Sequence, residues 1–331
     1  MAREKKDPGV ELIERTAKRV LERAEHGGLP VLEVPSRSLS NVRYDPDVGF
    51  FQIGDKRKKR TLRVNTARTF AQTLRLMALS KRMIETDDFA TKREAYYVSK
   101  NWGDCRFGEQ TESDAVMDDV EALASREGVF REQLRFYPEE HGGSVAGNLL
   151  IRERDPETGG MFQRLAGHRF WRKHDCILIE LAGVPSRATR RFVRRLSEEN
   201  GVPVYCFVDC DPYGMANIYR TLKVGSGNSA HVNRFFAVPK ARFLGVTPQD
   251  ILDFGLEDAT HPLQAVDVKR AQDALSNDPF FRAHPEWVAA FEQMLAMGVR
   301  AEQQALAKWG LNYVIDEYLP KKLERAAEFL P

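Results

Sequence analysis

The stretch Val202-Pro203-Val204-Tyr205-Cys206-Phe207-Val208-Asp209-Cys210-Asp211-Pro212-Tyr213-Gly214 decides how this chain folds. Val202 to Val208 form a nearly continuous apolar run, the pattern of a strand buried on both faces within a parallel sheet. Pro212 suits the first position of a helix, where its missing N–H would have no intrahelical partner anyway. Two aspartates, Asp209 and Asp211, fall between strand and helix. In open α/β sheets, ligands collect at the carboxyl ends of strands. Two carboxylates at such an edge repel one another unless a cation lies between them. Hard oxygen donors of this kind suit Mg²⁺, which takes few protein groups and keeps several waters. A plainer reading makes Asp211 a helix cap and Asp209 a turn residue. The strand–aspartates–helix context favours the metal.

Outward from this core the α/β alternation continues. Cys176-Ile177-Leu178-Ile179-Glu180 reads as a further strand. Ser186 to Glu199 reads as a helix, capped by Ser186 and stopped by Asn200-Gly201. Strand, helix, strand, helix predicts a doubly wound sheet in an α/β protein. From Asp267 onward the chain reads as mostly helical, with a long stretch from Pro285 to Lys308. Gly142-Gly143 and Gly147 mark a loop-rich boundary in front of the α/β part.

Ahead of that boundary the pattern differs. Val10, Ile13, Ala17, Val20, Leu21 and Ala24 recur at helical intervals, and Gly27-Gly28 ends that helix. An irregular or strand-rich stretch follows, from Leu32 to Phe51. Lys56-Arg57-Lys58-Lys59-Arg60 reads as an exposed turn, with a loop flanking DNA as the sharper alternative. Residues 65–83 keep a helical period through Phe70, Leu74 and Met77, continued by Ile84. Thr91-Lys92-Arg93-Glu94 is a capping box, which opens a helix carrying Tyr96 and Tyr97 in its second turn. Helix, turn, helix in a basic segment suggests a helix-turn-helix or winged-helix module, a common reader of duplex DNA.

At 331 residues, 42% hydrophobic and 30% charged, the chain has room for two domains with separate cores. No apolar run approaches the roughly 20 residues of a membrane span. The N-terminus lacks the apolar core of a secretory signal, so a cytoplasmic location is expected. Cys105, Cys176, Cys206 and Cys210 fit no zinc spacing and read as reduced thiols. Net charge is only +2, but residues 1–100 hold 22 Lys and Arg against 14 Asp and Glu, while the remainder holds 28 against 34. A basic front suits phosphate contacts, and an acidic back suits a cation. No Gly-x-x-x-x-Gly-Lys-Ser/Thr segment is present, so a P-loop ATP site is not expected.

The segment Thr91-Lys92-Arg93-Glu94-Ala95-Tyr96-Tyr97 closely resembles the catalytic-tyrosine segment of the type IIB topoisomerase A-subunit family, which includes meiotic double-strand-break proteins. Further segments match in the same order: Pro35 to Val42, Glu157 to Phe162, Gly183 to Arg191, Val208 to Gly214, and Arg300 to Gln304. The resemblance covers nearly the whole chain and, because the C-terminal helical region matches too, points to the archaeal-type protein rather than to the meiotic one. It implies an N-terminal helix and strand-rich extension over 1–64, and a CAP-like winged-helix domain with the catalytic tyrosine over 65–140. A Toprim domain with C-terminal helices would occupy 148–331.

By the same resemblance Tyr97 is the nucleophile, Tyr96 its packed neighbour, and Glu157, Asp209 and Asp211 hold Mg²⁺. A phenol titrates near pH 10, so it attacks poorly unless the developing phenolate is stabilised. Arg93 lies four residues before Tyr97 on the same helical face, placed to pair with the phosphate or the phenolate. Attack would give a transient 5′-phosphotyrosine, a double-strand break and religation for strand passage. One tyrosine cuts one strand, so two chains are expected around double-stranded DNA, with the tyrosine of one chain meeting the carboxylates of the other. The arginine-dense helix with Arg187, Arg190, Arg191, Arg194 and Arg195 would line a DNA channel. ATP would bind a separate GHKL-type B subunit, two A and two B chains assembling, with B contacting the segment before residue 60.

One region departs from the family pattern. Glu157 follows Glu153-Arg154-Asp155-Pro156, a poor strand, whereas Leu149-Leu150-Ile151 leads to Glu153. The motif favours Glu157 as metal ligand and the local strand logic favours Glu153. The segment between Gly147 and Glu157 also looks shorter than in the relatives. Two other readings stay open: a break-forming protein without relaxation activity, and a non-catalytic DNA-binding relative.

Overall fold

The structure, a computed structural model, describes residues 6–137 and 160–331. It is mixed α/β and mostly helical, and divides into two compact units. The first comprises Met1–Val42, Ile53–Leu150 and Asn228–Val232; the second comprises Arg43–Gln52, Ile151–Gly227 and Asn233–Pro331. Among the described residues every sheet has two strands.

The first unit starts with the helix Pro8–Glu25, whose N-terminus is closed by Asp7 accepting from the N–H groups of Gly9 and Val10 at 2.7 and 3.3 Å. Val10, Leu12 and Ile13 are buried, but Ala17, Leu21 and Ala24 face solvent, so only the first half of the expected apolar stripe packs. The helices Ala67–Glu85 and Gln110–Ser125 supply most of the core. There Leu76, Met77, Val116, Met117 and Val120 pack with Phe107 and Phe136. Fully burying a side chain of this size contributes about 1.5–3 kcal/mol, which is what fixes these helices against one another. Between them, the expected capping box forms and starts the helix Lys92–Ser99. Thr91 Oγ1 accepts from Glu94 N at 3.1 Å, and Glu94 Oε2 accepts from Thr91 N at 2.7 Å. The strands Ala90–Thr91 and Phe136–Tyr137 pair in parallel.

The basic run is not a turn. Arg57–Thr61 is a strand, paired antiparallel with Val31–Pro35 so that Arg60 stands opposite Leu32. Arg60 is buried and bonds to Asp119 and Thr73, while Asp119 also accepts from Arg37 Nε at 2.9 Å. A buried guanidinium is tolerated only with such partners. Arg57, Lys58 and Lys59 remain exposed.

In the second unit the strand expected over 202–208 forms at Tyr205–Phe207 and pairs in parallel with Arg242–Gly245. The pairing continues as Val208 N donates to Gly245 O at 2.8 Å and Val246 N to Val208 O at 2.7 Å. A helix begins at Pro212, is wound in the wider π form over Gly214–Tyr219, and ends as Arg220–Val224. The core is aromatic: Trp287 has the rings of Tyr219, Phe243 and Phe281 at 5.3, 5.1 and 5.3 Å. The hairpin of Val42–Asp45 and Phe50–Ile53, most of which falls in this unit, turns at Gly49 with φ +76°. A Cβ there would stand 2.9 Å from Pro239 Cβ, so both conformation and space require glycine.

Two expectations fail here. Cys176–Glu180 is not a strand: among the described residues it joins no ladder, and it is bracketed by left-handed residues at Asp175 and Ala182. An apolar run becomes a strand only where a neighbour accepts its backbone groups. The helix expected over Pro285–Lys308 stops at Met297, because Gly298 takes the left-handed conformation, φ +65°, that ends helices. Val299–Arg300 then pairs antiparallel with His261–Pro262, and a tighter 3-10 segment covers Gln303–Trp309. The four cysteines are unbonded, and among the described residues no helix is long and apolar enough to cross a membrane.

Candidate active site

At the end of the strand Tyr205–Phe207, Cys210 is buried and exchanges hydrogen bonds with Ala301: Cys210 N to Ala301 O at 2.8 Å and Ala301 N to Cys210 O at 3.1 Å. Asp209 and Asp211 flank it. Asp209 Oδ1 accepts from Gln303 N at 2.8 Å. Asp211 Oδ1 accepts from Gly214 N at 2.5 Å, so this residue does cap the following helix. Its second oxygen stands 4.0 Å from Arg300 Nη1. Arg300 Nε lies 3.8 Å from Asp267 Oδ2, and Arg270 Nη1 lies 3.8 Å from Asp267 Oδ1. Capping and metal binding are therefore compatible, since each aspartate commits one oxygen to a backbone N–H.

The electrostatics of this edge favour a cation. Burial pushes the Asp209 carboxyl above its ordinary range; the Gln303 N–H draws it back, Glu302 raises it and Arg300 lowers it. Burial also raises Asp211, opposed by the Gly214 N–H and reinforced by Asp209 and Asp267, with Arg300 again pulling the other way. Two partly buried carboxylates that resist ionisation side by side are stabilised by a positive charge between them. Among the described residues no group of three or more metal-ligating side chains comes together. Two aspartates alone fit Mg²⁺, which is usually bound by one or two carboxylates plus water and phosphate. Glu157 and Glu153 lie outside the described residues. Asp267 had no motif to announce it. It is the N3 residue of the helix Ala265–Asn277, and only the fold brings it beside Arg300.

The two tyrosines sit differently on their helix. Tyr96 is held: its hydroxyl donates to Gly108 O at 3.1 Å and Lys100 Nζ lies 4.0 Å over its ring. Tyr97 is 57% exposed, with its ring 5.3 Å from that of Tyr96. Arg93 lies one turn earlier on the same helix, and Lys92 pairs with Asp114 at 3.0 Å.

The arginine-dense helix Arg187–Arg194 is capped by Ser186, whose Oγ accepts from Thr189 N at 3.1 Å. Most of its arginines face inward. Arg190 is buried, and burial beside Arg187 lowers its pKa to about 10. Arg187 stacks 4.6 Å over the Phe236 ring. Arg191 Nη1 donates to Phe235 O at 3.2 Å, and Arg194 bonds to Ala237 O. Arg191 and Arg194 thereby satisfy carbonyls at the end of the short helix Asn233–Phe236. Arg195 is exposed and pairs with Glu199 at 3.1 Å.

Comparison with known proteins agrees across the chain. A family model for the Toprim domain shared by the topoisomerase 6 A subunit and Spo11 matches residues 156–323, and one described as "Type IIB DNA topoisomerase" matches residues 68–135. The type 2 DNA topoisomerase 6 A subunit of Methanocaldococcus jannaschii is 49% identical over 352 residues, spanning 95% of this chain and 94% of that relative. Its counterpart in Methanothermobacter thermautotrophicus is 37% identical, spanning 92% of this chain and 94% of the relative. That of Pyrococcus abyssi is 34% identical, spanning 96% and 94%.

Proposed function

This chain belongs to the family of topoisomerase VI A subunits, and from that premise we propose that it is the DNA-cleaving component of an ATP-dependent type IIB topoisomerase. The observation that carries the reading to a residue is the contrast between the two tyrosines. Tyr96 has its hydroxyl committed to Gly108 O, whereas Tyr97 is presented to solvent on a helix anchored by a complete capping box.

In this reading the Tyr97 oxygen attacks a backbone phosphorus. A new O–P bond forms, the P–O3′ bond breaks, the phenol proton leaves to solvent, and the freed 3′ oxygen takes up a proton. The product is a 5′-phosphotyrosine, whose retained phosphoester permits religation by the reverse step. Arg93, one turn before Tyr97, stabilises the phosphate or the developing phenolate. Asp209 and Asp211 hold Mg²⁺, with Glu157 as third donor on its motif and Glu153 as the alternative. When bound there, the ion supplies charge stabilisation at the phosphate and the departing oxygen. Burial pushes the Asp209 and Asp211 carboxyls above their ordinary range, and this supports that assignment because a cation bound between them would offset the cost of their ionisation.

The remaining elements follow the same reading. Residues 65–140 are a CAP-like winged-helix domain, 148–331 a Toprim domain on a doubly wound parallel sheet with C-terminal helices, and 1–64 an extension. The substrate is double-stranded DNA, cut by a homodimer. An ATP-binding B subunit completes an assembly of two A and two B chains, and a cytoplasmic location suits that work.

The experiment is covalent trapping. With duplex DNA, the B subunit, Mg²⁺ and ATP, a denaturing quench should leave wild-type protein attached to DNA 5′ ends. Tyr97→Phe should leave none, and Tyr96→Phe should still give adducts. Adducts persisting in Tyr97→Phe would remove the nucleophile assignment.

A further inference from the structure

Residues 300–303 run beside the strand end and are bonded to it at four points. Two are the paired backbone bonds of Cys210 and Ala301. The third is Gln303 N to Asp209 Oδ1 at 2.8 Å, and the fourth is Gln303 Nε2 to Phe207 O at 2.9 Å. The segment reaches this place because Gly298 ends the preceding helix and the pairing of Val299–Arg300 with Pro262 and His261 turns the chain back.

Gln303 has two separate grips on one short piece of backbone. Its N–H takes one oxygen of Asp209 and so fixes the carboxylate plane, leaving the other oxygen for a ligand. Its side-chain amide takes the carbonyl of Phe207, two residues earlier, which belongs to the strand that carries Asp209. Strand carbonyls are normally answered by a neighbouring strand, and here a glutamine side chain supplies the donor. A carboxylate on an untethered strand end samples several orientations. One tied at its own oxygen and at the backbone beneath it presents a single geometry to a cation.

We propose that Gln303 is a positioning residue for the metal edge: through Phe207 O and Asp209 it sets the orientation in which the Asp209 carboxylate meets a divalent cation. The inference rests on the Mg²⁺ reading above and adds to it a residue that acts through Asp209 and the backbone of its strand. Arg300, beside it, faces Asp211 and Asp267 at 4.0 and 3.8 Å and limits the net negative charge of the same edge.

The test uses the full chain and Mg²⁺ alone, titrated by calorimetry and by the Mg²⁺-dependent rise in unfolding temperature. Four proteins are compared: wild type, Gln303→Ala, Gln303→Met and Asp209→Ala. Gln303→Met keeps the side-chain length and loses only the amide, which separates donation from packing. Both Gln303 variants should bind Mg²⁺ about 10-fold more weakly, the usual cost of losing a group that orients a metal ligand. In EDTA, Gln303→Met should unfold near the wild-type temperature. DNA cleavage with the B subunit should be recovered in that variant at raised Mg²⁺. Wild-type Mg²⁺ affinity in Gln303→Met would overturn the positioning role. Should Asp209→Ala also bind Mg²⁺ as wild type does, the metal reading itself falls. Should Asp209→Ala lose binding while Gln303→Met keeps it, only the present inference falls.

Discussion

Tyr96 and Tyr97 are chemically identical neighbours, and their surroundings alone distinguish them. The capping box that starts their helix is a local feature of four residues, so it could be read directly from Thr91 and Glu94. The anchoring of Tyr96 could not, because Gly108 lies twelve residues away across a turn. A similar contrast marks Lys223, whose buried ammonium donates to Ala241 O at 2.7 Å. Burial, aided by Arg242 and opposed by Glu198, lowers its pKa to about 8 from an ordinary 10.5. The unfolded chain therefore holds this proton more tightly, so stability rises with pH between those values and the burial cost is fully present below about pH 8. Lys223→Met removes that cost, and Ala241 O keeps the Tyr219 hydroxyl as donor at 3.0 Å. The variant should be more stable at pH 7 by about 1–3 kcal/mol, the advantage shrinking toward pH 10. Urea melts at the two pH values check this; an advantage independent of pH would contradict it.

At the scale of elements, the stops matter as much as the runs. The apolar and helical character of 285–308 is continuous in sequence, yet Gly298 divides it and sends Arg300 to Gln303 toward the aspartates. Gly298→Ala would force a Cβ into a left-handed position and should cost about 1 kcal/mol, measurable by chemical denaturation. No loss would mean that the turn is indifferent to the residue there. Lys56 to Arg60 misleads in the opposite direction. A run of five cations reads as solvated, but its strand character depends on Val31–Pro35, and the burial of Arg60 depends on Asp119. Likewise the arginines of Arg187–Arg194 were legible as charge, whereas their use against the carbonyls of Phe235 and Ala237 required knowing which helix end lies beside them.

For the whole molecule, the proposed reaction divides its parts between two chains, Tyr97 from one and Asp209 and Asp211 from the other. Mixed dimers test that division. A Tyr97→Phe chain combined with an Asp209→Ala chain, in the presence of Mg²⁺ and the B subunit, rebuilds one complete site per dimer if the groups act across chains. Nicked DNA should then appear where each variant alone gives none, without double-strand breaks. If the groups act within a chain, neither half of the mixed dimer is complete, and gel analysis would show no nicks.

The amino-acid order by itself determined what depends on near neighbours: the capping box, the apolar strand ending in two aspartates, the helix opened by Pro212, and the motif series that places the chain in its family. These features rest on periodicity and on backbone groups a few residues apart, so no distant partner is needed to see them. Only the tertiary structure decided that Asp267 and Arg300 join the carboxylate edge, that Gln303 grips it, that Arg60 is buried in a strand, and that Cys176–Glu180 joins no ladder among the described residues. Each of these depends on groups far apart in sequence meeting at a few ångströms, and a hydrogen bond or ion pair has no energy until both partners arrive.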